Sequence, residues 1–173
     1  MKKNIFYLSI LLFFTFIFTI FYLGLDKPNF YKPKEVKNKN LEEFISTELF
    51  SNEQINSKDI IENNNFTLIN IWSSWCVPCR LEHSVLMDLS GKTNLNIVGL
   101  NYKDKKNNAI KFLNELGNPF SIVLTDPEGI ISISLGAYGV PETYLLNNES
   151  KIIKKYIGPL TNENILEIIK IIK

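Results

Sequence analysis

Cys76 and Cys79 are the two cysteines of this 173-residue chain, and they lie in Trp72-Ser73-Ser74-Trp75-Cys76-Val77-Pro78-Cys79-Arg80. A Cys-x-x-Cys pair after a strand and at the start of a helix points to dithiol redox exchange. Unpaired N–H groups and the helix macrodipole stabilise a thiolate at the first sulfur. Its pKa then falls from about 8.5 toward roughly 3.5–7.5. Two intervening residues let the second sulfur reach the first within one turn, so a disulfide can close and open without unfolding. Pro78 fixes φ in the first turn, where no backbone donor is needed.

Other uses of the pair fit less well. A structural zinc site wants four ligands, whereas Cys76, Cys79 and His83 supply three in a chain without further Cys or His. Covalent haem attachment needs Cys-x-x-Cys-His, and Arg80 stands where that histidine would be. Inert buried thiols would not ordinarily open a helix beside two tryptophans. A purely structural disulfide around so small a loop adds little stability.

The pair needs a strand before it and a helix after it. Phe66 to Trp72 is an apolar, β-rich run bounded by Asn63-Asn64-Asn65, the pattern of a buried strand. Residues 77–90, with apolar positions at Leu81, Val85, Leu86 and Leu89, predict a helix closed by Gly91 at its C′ position. Leu95–Tyr102 reads as the next strand. Residues 105–116 read as a helix with Ile110, Phe112, Leu113 and Leu116 inward and Gly117 closing it, and Ser121–Thr125 as a further strand. Upstream, 43–50 and 53–55 suggest a short strand pair around Ser51-Asn52. Thr143–Leu146 and Ile152–Ile157 flank Asn147-Asn148-Glu149-Ser150, a hairpin signal. Thr161 caps a last helix over 162–172. Strand–helix–strand units imply parallel pairs with right-handed crossovers, and the terminal hairpin adds antiparallel strands. The expected fold class is α/β: a mixed central sheet with helices on both faces.

The N-terminus is of another kind. Ile5 to Leu25 is 21 residues without a charge, roughly 31 Å as a helix and enough to cross a hydrocarbon core. It is longer than a signal-peptide apolar region and lacks an A-x-A site. It reads as an uncleaved transmembrane anchor, with a cleaved signal peptide as the alternative. Residues 1–4 form the tail before it, 26–40 a lysine- and proline-bearing tether, and 41–173 the globular domain. Lys2 and Lys3 favour a cytoplasmic N-terminus, but Lys27, Lys32, Lys34, Lys37 and Lys39 argue the other way, so charge counting leaves orientation open.

Composition excludes other classes. Lys and Arg total 19 against 18 Asp and Glu, a net charge of +1, and Arg80 is the sole arginine. This is no electrostatic footprint for nucleic acid. Two cysteines and one histidine exclude zinc-finger arrays and disulfide-stapled mini-domains. The reading needs no cofactor and no metal.

From Leu41 to Lys173 the chain resembles the membrane-anchored thioredoxin-like proteins of cytochrome c biogenesis, the DsbE/CcmG type. The matching pieces are LINIWSSWCVPCRLEH (68–83), GLNYKD (99–104), LGNPF (116–120) and LGAYGVPETYLL (135–146). Proline stands second between the cysteines, as in general thioredoxins, a departure that bears on the redox potential and not on the reaction. The resemblance implies a thioredoxin-like fold with a catalytic Cys76–Cys79 dithiol, supported by Trp75 and Pro78. It also implies that Pro141 is a cis-proline facing the dithiol and that the Val140 backbone pairs with a bound substrate strand. Glu82 and Glu142 match the family's acidic residues near the site. Without the resemblance, Glu82 reads as a solvated helix residue, Glu142 as a turn residue, and the bond before Pro141 as trans. Asn70 stands where cytosolic thioredoxins carry a buried aspartate, which leaves proton handling to the glutamates. Trp75 is expected to shield the disulfide or, alternatively, to pack in the core. Arg80 and His83 read as surface or helix-packing residues, and Tyr102 and Tyr138 as packing.

The implied function is disulfide reduction on the periplasmic side of the inner membrane, by a single-pass protein embedded by one helix. The implied partners are apocytochrome c or its haem-ligation accessory protein, and a membrane thiol–disulfide reductant of the DsbD/CcdA type. Two alternatives stand beside it: an extracytoplasmic reductase of another process on the same fold, and a non-enzymatic metal-binding module.

Overall fold

The computed structural model describes residues 2–25 and 39–173, in two units that are treated separately. Most of the expected tether, and Met1 of the expected tail, lie outside the described residues. In the first unit, helix α1 (Lys2–Leu25) begins before the charge-free run, and it is long and apolar enough to cross a membrane. Its hydroxyl groups turn back onto its own carbonyls: Ser9 donates to Phe6 O at 2.8 Å, Thr15 to Leu12 O at 2.9 Å and Thr19 to Thr15 O at 2.7 Å. Such internal bonds leave no polar side chain of these three residues seeking water, as an apolar surrounding requires.

The second unit is built from β1 (Ile45–Glu48), β2 (Gln54–Asn56), α2 (Ser57–Glu62), β3 (Phe66–Trp72), α3 (Val77–Lys92), β4 (Asn96–Tyr102), α4 (Lys106–Leu116), β5 (Ile122–Asp126), α5 (Ile130–Ser134), β6 (Glu142–Asn147), β7 (Ile152–Ile157) and α6 (Asn162–Ile172). The strands form one sheet in the order β2-β1-β5-β4-β3-β6-β7. The central strands β3, β4 and β5 are parallel, while β1, β2, β6 and β7 pair antiparallel. This is the mixed sheet that the strand–helix alternation implies.

Alternation along β3 decides which helix packs where. Leu68 and Trp72 face one way, into a core shared with Leu86 and Leu89 of α3, Phe112 and Leu113 of α4, and Ile165 and Ile168 of α6. Ile69 and Ile71 face the other way and meet Ile61 of α2 and Leu135 after α5. Period-2 burial of this kind needs cover on both faces. Gly99 lies opposite Asn70 in the pairing of β3 with β4, and a side chain there would come within 2.8 Å of the Phe120 ring. Its absence lets Trp72 stack on Phe120, with ring centres 5.6 Å apart.

Several sequence expectations change. Helix α3 runs through Gly91 to Lys92, and the closing role falls to Thr93, whose N–H and hydroxyl both donate to Leu89 O. The buried stripe of α3 is also rotated: Cys79, Glu82, His83, Leu86 and Leu89 face inward, while Leu81 is 71% exposed. Helices α2 and α5 carry too few residues to show a period, and side chains define both. Asn56 caps α2 by accepting from Lys58 N, and Asp126 accepts from Ile131 N and from the N–H and hydroxyl of Ser132 in α5. The remaining expected elements are present, with ends shifted by one or two residues. Gly117 closes α4 at φ +88°, and Thr161 forms a capping box with Asn164 at α6.

The chain enters this unit along the far edge of the terminal hairpin. Ile152 N donates to Lys39 O, Leu41 N donates to Ser150 O, and Asn40 bridges Lys151.

Candidate functional site

The parallel strands β3, β4 and β5 all finish at one end of the sheet, the usual place for a site in such a fold. Trp72 leads there into Ser73–Cys76, and Tyr102 leads into Lys103-Asp104. Strand β6 runs against β3 with Glu142 opposite Ile71, so Pro141 arrives at the same end from the other direction.

Cys76 is the N-cap of α3. It is joined to Cys79 by a disulfide, and its sulfur accepts from the Cys79 N–H at 3.1 Å. Pro78 sits in the first turn, where it removes no helical hydrogen bond. Both cysteines are buried, while Trp75, Val77 and Leu81 around them are 57%, 70% and 71% exposed. The core-packing alternative for Trp75 therefore fails: its ring is in solvent and its indole N–H donates to Lys103 O at 3.0 Å.

The loop before the first sulfur is held from β4. The Asp104 carboxylate accepts from Ser74 N at 2.6 Å, Ser74 Oγ at 2.9 Å and Asn101 Nδ2 at 3.1 Å. Asp104 had been visible only as part of a family motif. Its place, just past the end of a parallel strand adjoining the cysteine strand, is the signal that it faces the same loop.

Neither glutamate behaves as its local sequence suggests. Glu82 is not solvated but 1% exposed, one turn beyond Cys79 on the inward face of α3. Its Oε1 accepts from Asn70 Nδ2 at 3.0 Å and its Oε2 from Leu160 N at 2.7 Å. Burial pushes its carboxyl up to about 7, and the two hydrogen bonds pull back only part of that shift. Asn70 also donates to Thr143 Oγ1 at 2.9 Å, while its Oδ1 is buried without a partner among the described residues. Glu142 is not a turn residue but the first residue of β6, also 1% exposed. Its Oε2 pairs with Lys155 Nζ at 2.7 Å, and its Oε1 accepts from Tyr138 N and Gly139 N.

The Val140–Pro141 bond is cis, in place of the trans bond expected from local sequence alone. Val140 is half-buried and packs against the core cluster that contains both cysteines. Among the described residues its N–H and C=O make no hydrogen bond, although Pro141 O accepts from Gly158 N at 3.0 Å. His83 is buried, with Nε2 at 2.9 Å from Gly117 O and its ring edge-on to Phe112. Burial lowers its pKa, with the nearby Arg80 charge acting in the same direction and the bond to Gly117 opposing it. Arg80 lies over Phe112 and pairs loosely with Glu115 at 3.7 Å. Both are helix-packing residues.

The model of the Redoxin family matches residues 38–169. The chain is similar to the thiol:disulfide interchange protein CycY of Rhizobium leguminosarum bv. viciae, 46% identical over 109 residues that cover 63% of this chain and 59% of that protein. It is similar to the protein named DsbE-2 of Pasteurella multocida, 35% identical over 94% of this chain and 85% of that protein. It spans about three-fifths of the length of most of the curated relatives it matches. Among solved structures, a DsbF homologue from Corynebacterium diphtheriae superposes with a TM-score of 0.66 at 23% identity, over 83% of this chain and 95% of that one. At that identity the likeness establishes a shared thioredoxin-like fold.

Proposed function

The chain belongs to the redoxin family, among thiol:disulfide interchange proteins of the DsbE type, and from that premise we propose that it is a membrane-anchored protein-disulfide reductase. The observation that carries this reading is the dithiol itself: Cys76 caps α3, bonded to Cys79, at the sheet end where the Val140 backbone has no hydrogen-bond partner among the described residues.

In the reduced protein, the Cys76 thiolate attacks one sulfur of a partner disulfide. A mixed disulfide forms, and the partner's second sulfur leaves as a thiolate. Cys79, deprotonated, then attacks Cys76 Sγ, so the mixed bond breaks and the partner departs as a dithiol carrying two electrons. The Cys76–Cys79 disulfide remains. Glu82 is the group of suitable pKa one helical turn from Cys79, and it takes the thiol proton as the second step proceeds. Trp75 and Pro78 support the dithiol, Val140 and Pro141 receive the partner's extended segment, and Glu142 shapes the loop before them.

The partner in this reading is apocytochrome c, with its haem-attachment cysteines oxidised, or a haem-ligation accessory protein. A membrane reductant of the DsbD/CcdA type returns the two electrons. Residues 5–25 anchor the protein in the inner membrane, 26–40 tether it, and 41–173 act on the periplasmic side, where a dedicated reductase is needed. Holding catalyst and partners in one membrane plane raises their effective concentration.

The test is a trap. Full-length Cys79→Ala in its native membranes should accumulate a mixed disulfide that runs as a higher band on non-reducing gels and collapses on reduction. Cys76→Ala should give no such band. A c-type apocytochrome, its helper or the membrane reductant in the band supports the cytochrome role. Recovery of unrelated envelope proteins alone removes that role, and trapping by Cys76→Ala instead reverses the two sulfurs.

A further inference from the structure

Buried ions are costly, and a structure that keeps one needs a pair of good geometry with its remaining hydrogen bonds satisfied. The Lys155 and Glu142 side chains are 7% and 1% exposed and meet at 2.7 Å. The two residues lie diagonally across the β6–β7 ladder, where Glu142 faces Ile157 and Tyr144 faces Lys155. Neither takes part in the sulfur chemistry proposed above.

Their other bonds converge on one segment. Lys155 Nζ donates to Gly136 O at 2.8 Å, and Glu142 Oε1 accepts from Tyr138 N at 2.6 Å and Gly139 N at 3.1 Å. Tyr144 OH, between the two charges, donates to Leu135 O at 3.2 Å. The ammonium also lies 4.6 Å from the centre of the Tyr138 ring and 5.1 Å from that of Tyr144. The segment 135–139 is thus tied to the hairpin by the two members of the ion pair and by Tyr144. On the other side of Val140, Pro141 O is held by Gly158 N. Val140 lies between two fixed points, and its own N–H and C=O have no partner among the described residues. An unpaired backbone donor and acceptor held in place are what an extended peptide needs to add itself by main-chain bonding.

We infer that the Lys155–Glu142 pair is a positioning device that fixes the Val140 backbone for an extended partner segment, so that the protein favours polypeptide disulfides over small ones. This rests on the exchange reading above. Lys155 and Glu142 are positioning residues that act through the loop. A small disulfide has no main chain to pair with Val140 and does not sense that loop.

The test compares two substrates of the reduced full-length protein in detergent. One is hydroxyethyl disulfide, and the other is a synthetic peptide closed by a Cys-x-x-Cys disulfide. Lys155→Met should lower the peptide rate relative to the hydroxyethyl disulfide rate by about ten- to a hundredfold, through KM for the peptide more than through the saturating rate. Lys155→Arg, which keeps the cation and its donors, should recover most of the ratio. If Lys155→Met does not fold, Lys155→Met with Glu142→Gln leaves no unpaired buried charge and should show the same loss. An unchanged ratio in the folded variants, or both rates falling together, overturns the inference and leaves the exchange reading standing. Wild-type protein that reduces neither disulfide overturns both.

Discussion

Two carboxylates are buried to the same degree on opposite faces of the sheet, and they are treated in opposite ways. Glu142 has a cation at 2.7 Å and two backbone N–H donors. Glu82 has an amide and one backbone N–H, and no cation within ion-pair distance among the described residues. The first charge is neutralised where it stands and can serve only to hold its surroundings. The second is left in a poor solvent for ions, and its carboxyl keeps a proton up to about pH 7. Burial alone therefore does not assign a role to an acidic residue. The nearest cation does.

The contrast can be broken most forcibly at the paired end. Lys155→Met leaves Glu142 buried without its cation, and should lower unfolding stability by about 3–5 kcal/mol. Both tryptophans lie in the second unit, so denaturant unfolding of the full chain followed by tryptophan fluorescence reads this domain alone. A loss below about 1 kcal/mol would mean that the pair is solvated, and the two carboxylates would no longer differ.

The unpaired end is probed by pH. Because the folded carboxyl of Glu82 titrates near 7 and its ordinary value is 4.5, the native state binds more protons between those values. Stability contributed by Glu82 is fully present below about pH 4.5 and is lost as pH rises through about 7, in total about 3 kcal/mol. His83, with its lowered pKa, opposes this trend by favouring the fold as pH rises through its own range. The comparison is therefore with Glu82→Gln, in which His83 is unchanged. Variant stability minus wild-type stability should rise as pH rises across that window. A constant difference would show that Glu82 holds no proton near neutrality.

The smallest effect sharpens the contrast within a single strand. Lys154 is next to Lys155 on β7 but points to the other face, where it pairs with Glu167 at 2.6 Å and both side chains are about 40% exposed. The hydrogen bond from Lys154 holds the Glu167 carboxyl below its ordinary range, yet a pair this exposed is screened by solvent. Lys154→Ala should cost less than about 1 kcal/mol in the same assay. A larger cost would mean that solvent exposure does not separate the two lysines.

The elements carrying the sulfurs were legible because local rules agree there. A β-rich run ends at Trp72, a cysteine pair with proline follows, and the helix starts at once. The environments of the glutamates were not legible from local rules. Glu82 lies in the stripe 79-82-86-89, but the apolar Leu81 and Val85 drew the expected face about one residue to the side. The structure instead leaves Leu81 beside the dithiol in solvent. Glu142 depends on Lys155, thirteen residues away, and on a register that hairpin sequence sets only to within its bulge at Leu145/Leu146. Adjacent lysines in a strand do point to opposite faces, and that signal was available.

The place where the chain joins this unit has a mechanical meaning. Lys39–Leu41 is fastened to the turn end of the β6–β7 hairpin, whereas Glu142 begins β6 at the dithiol end, so the length of the strand, roughly 20 Å, separates the two. The domain thus has a handle at one pole and its working sulfurs near the other. A pull, a surface or a fused tag applied through residue 39 loads the hairpin turn first and leaves the dithiol pole open to a partner.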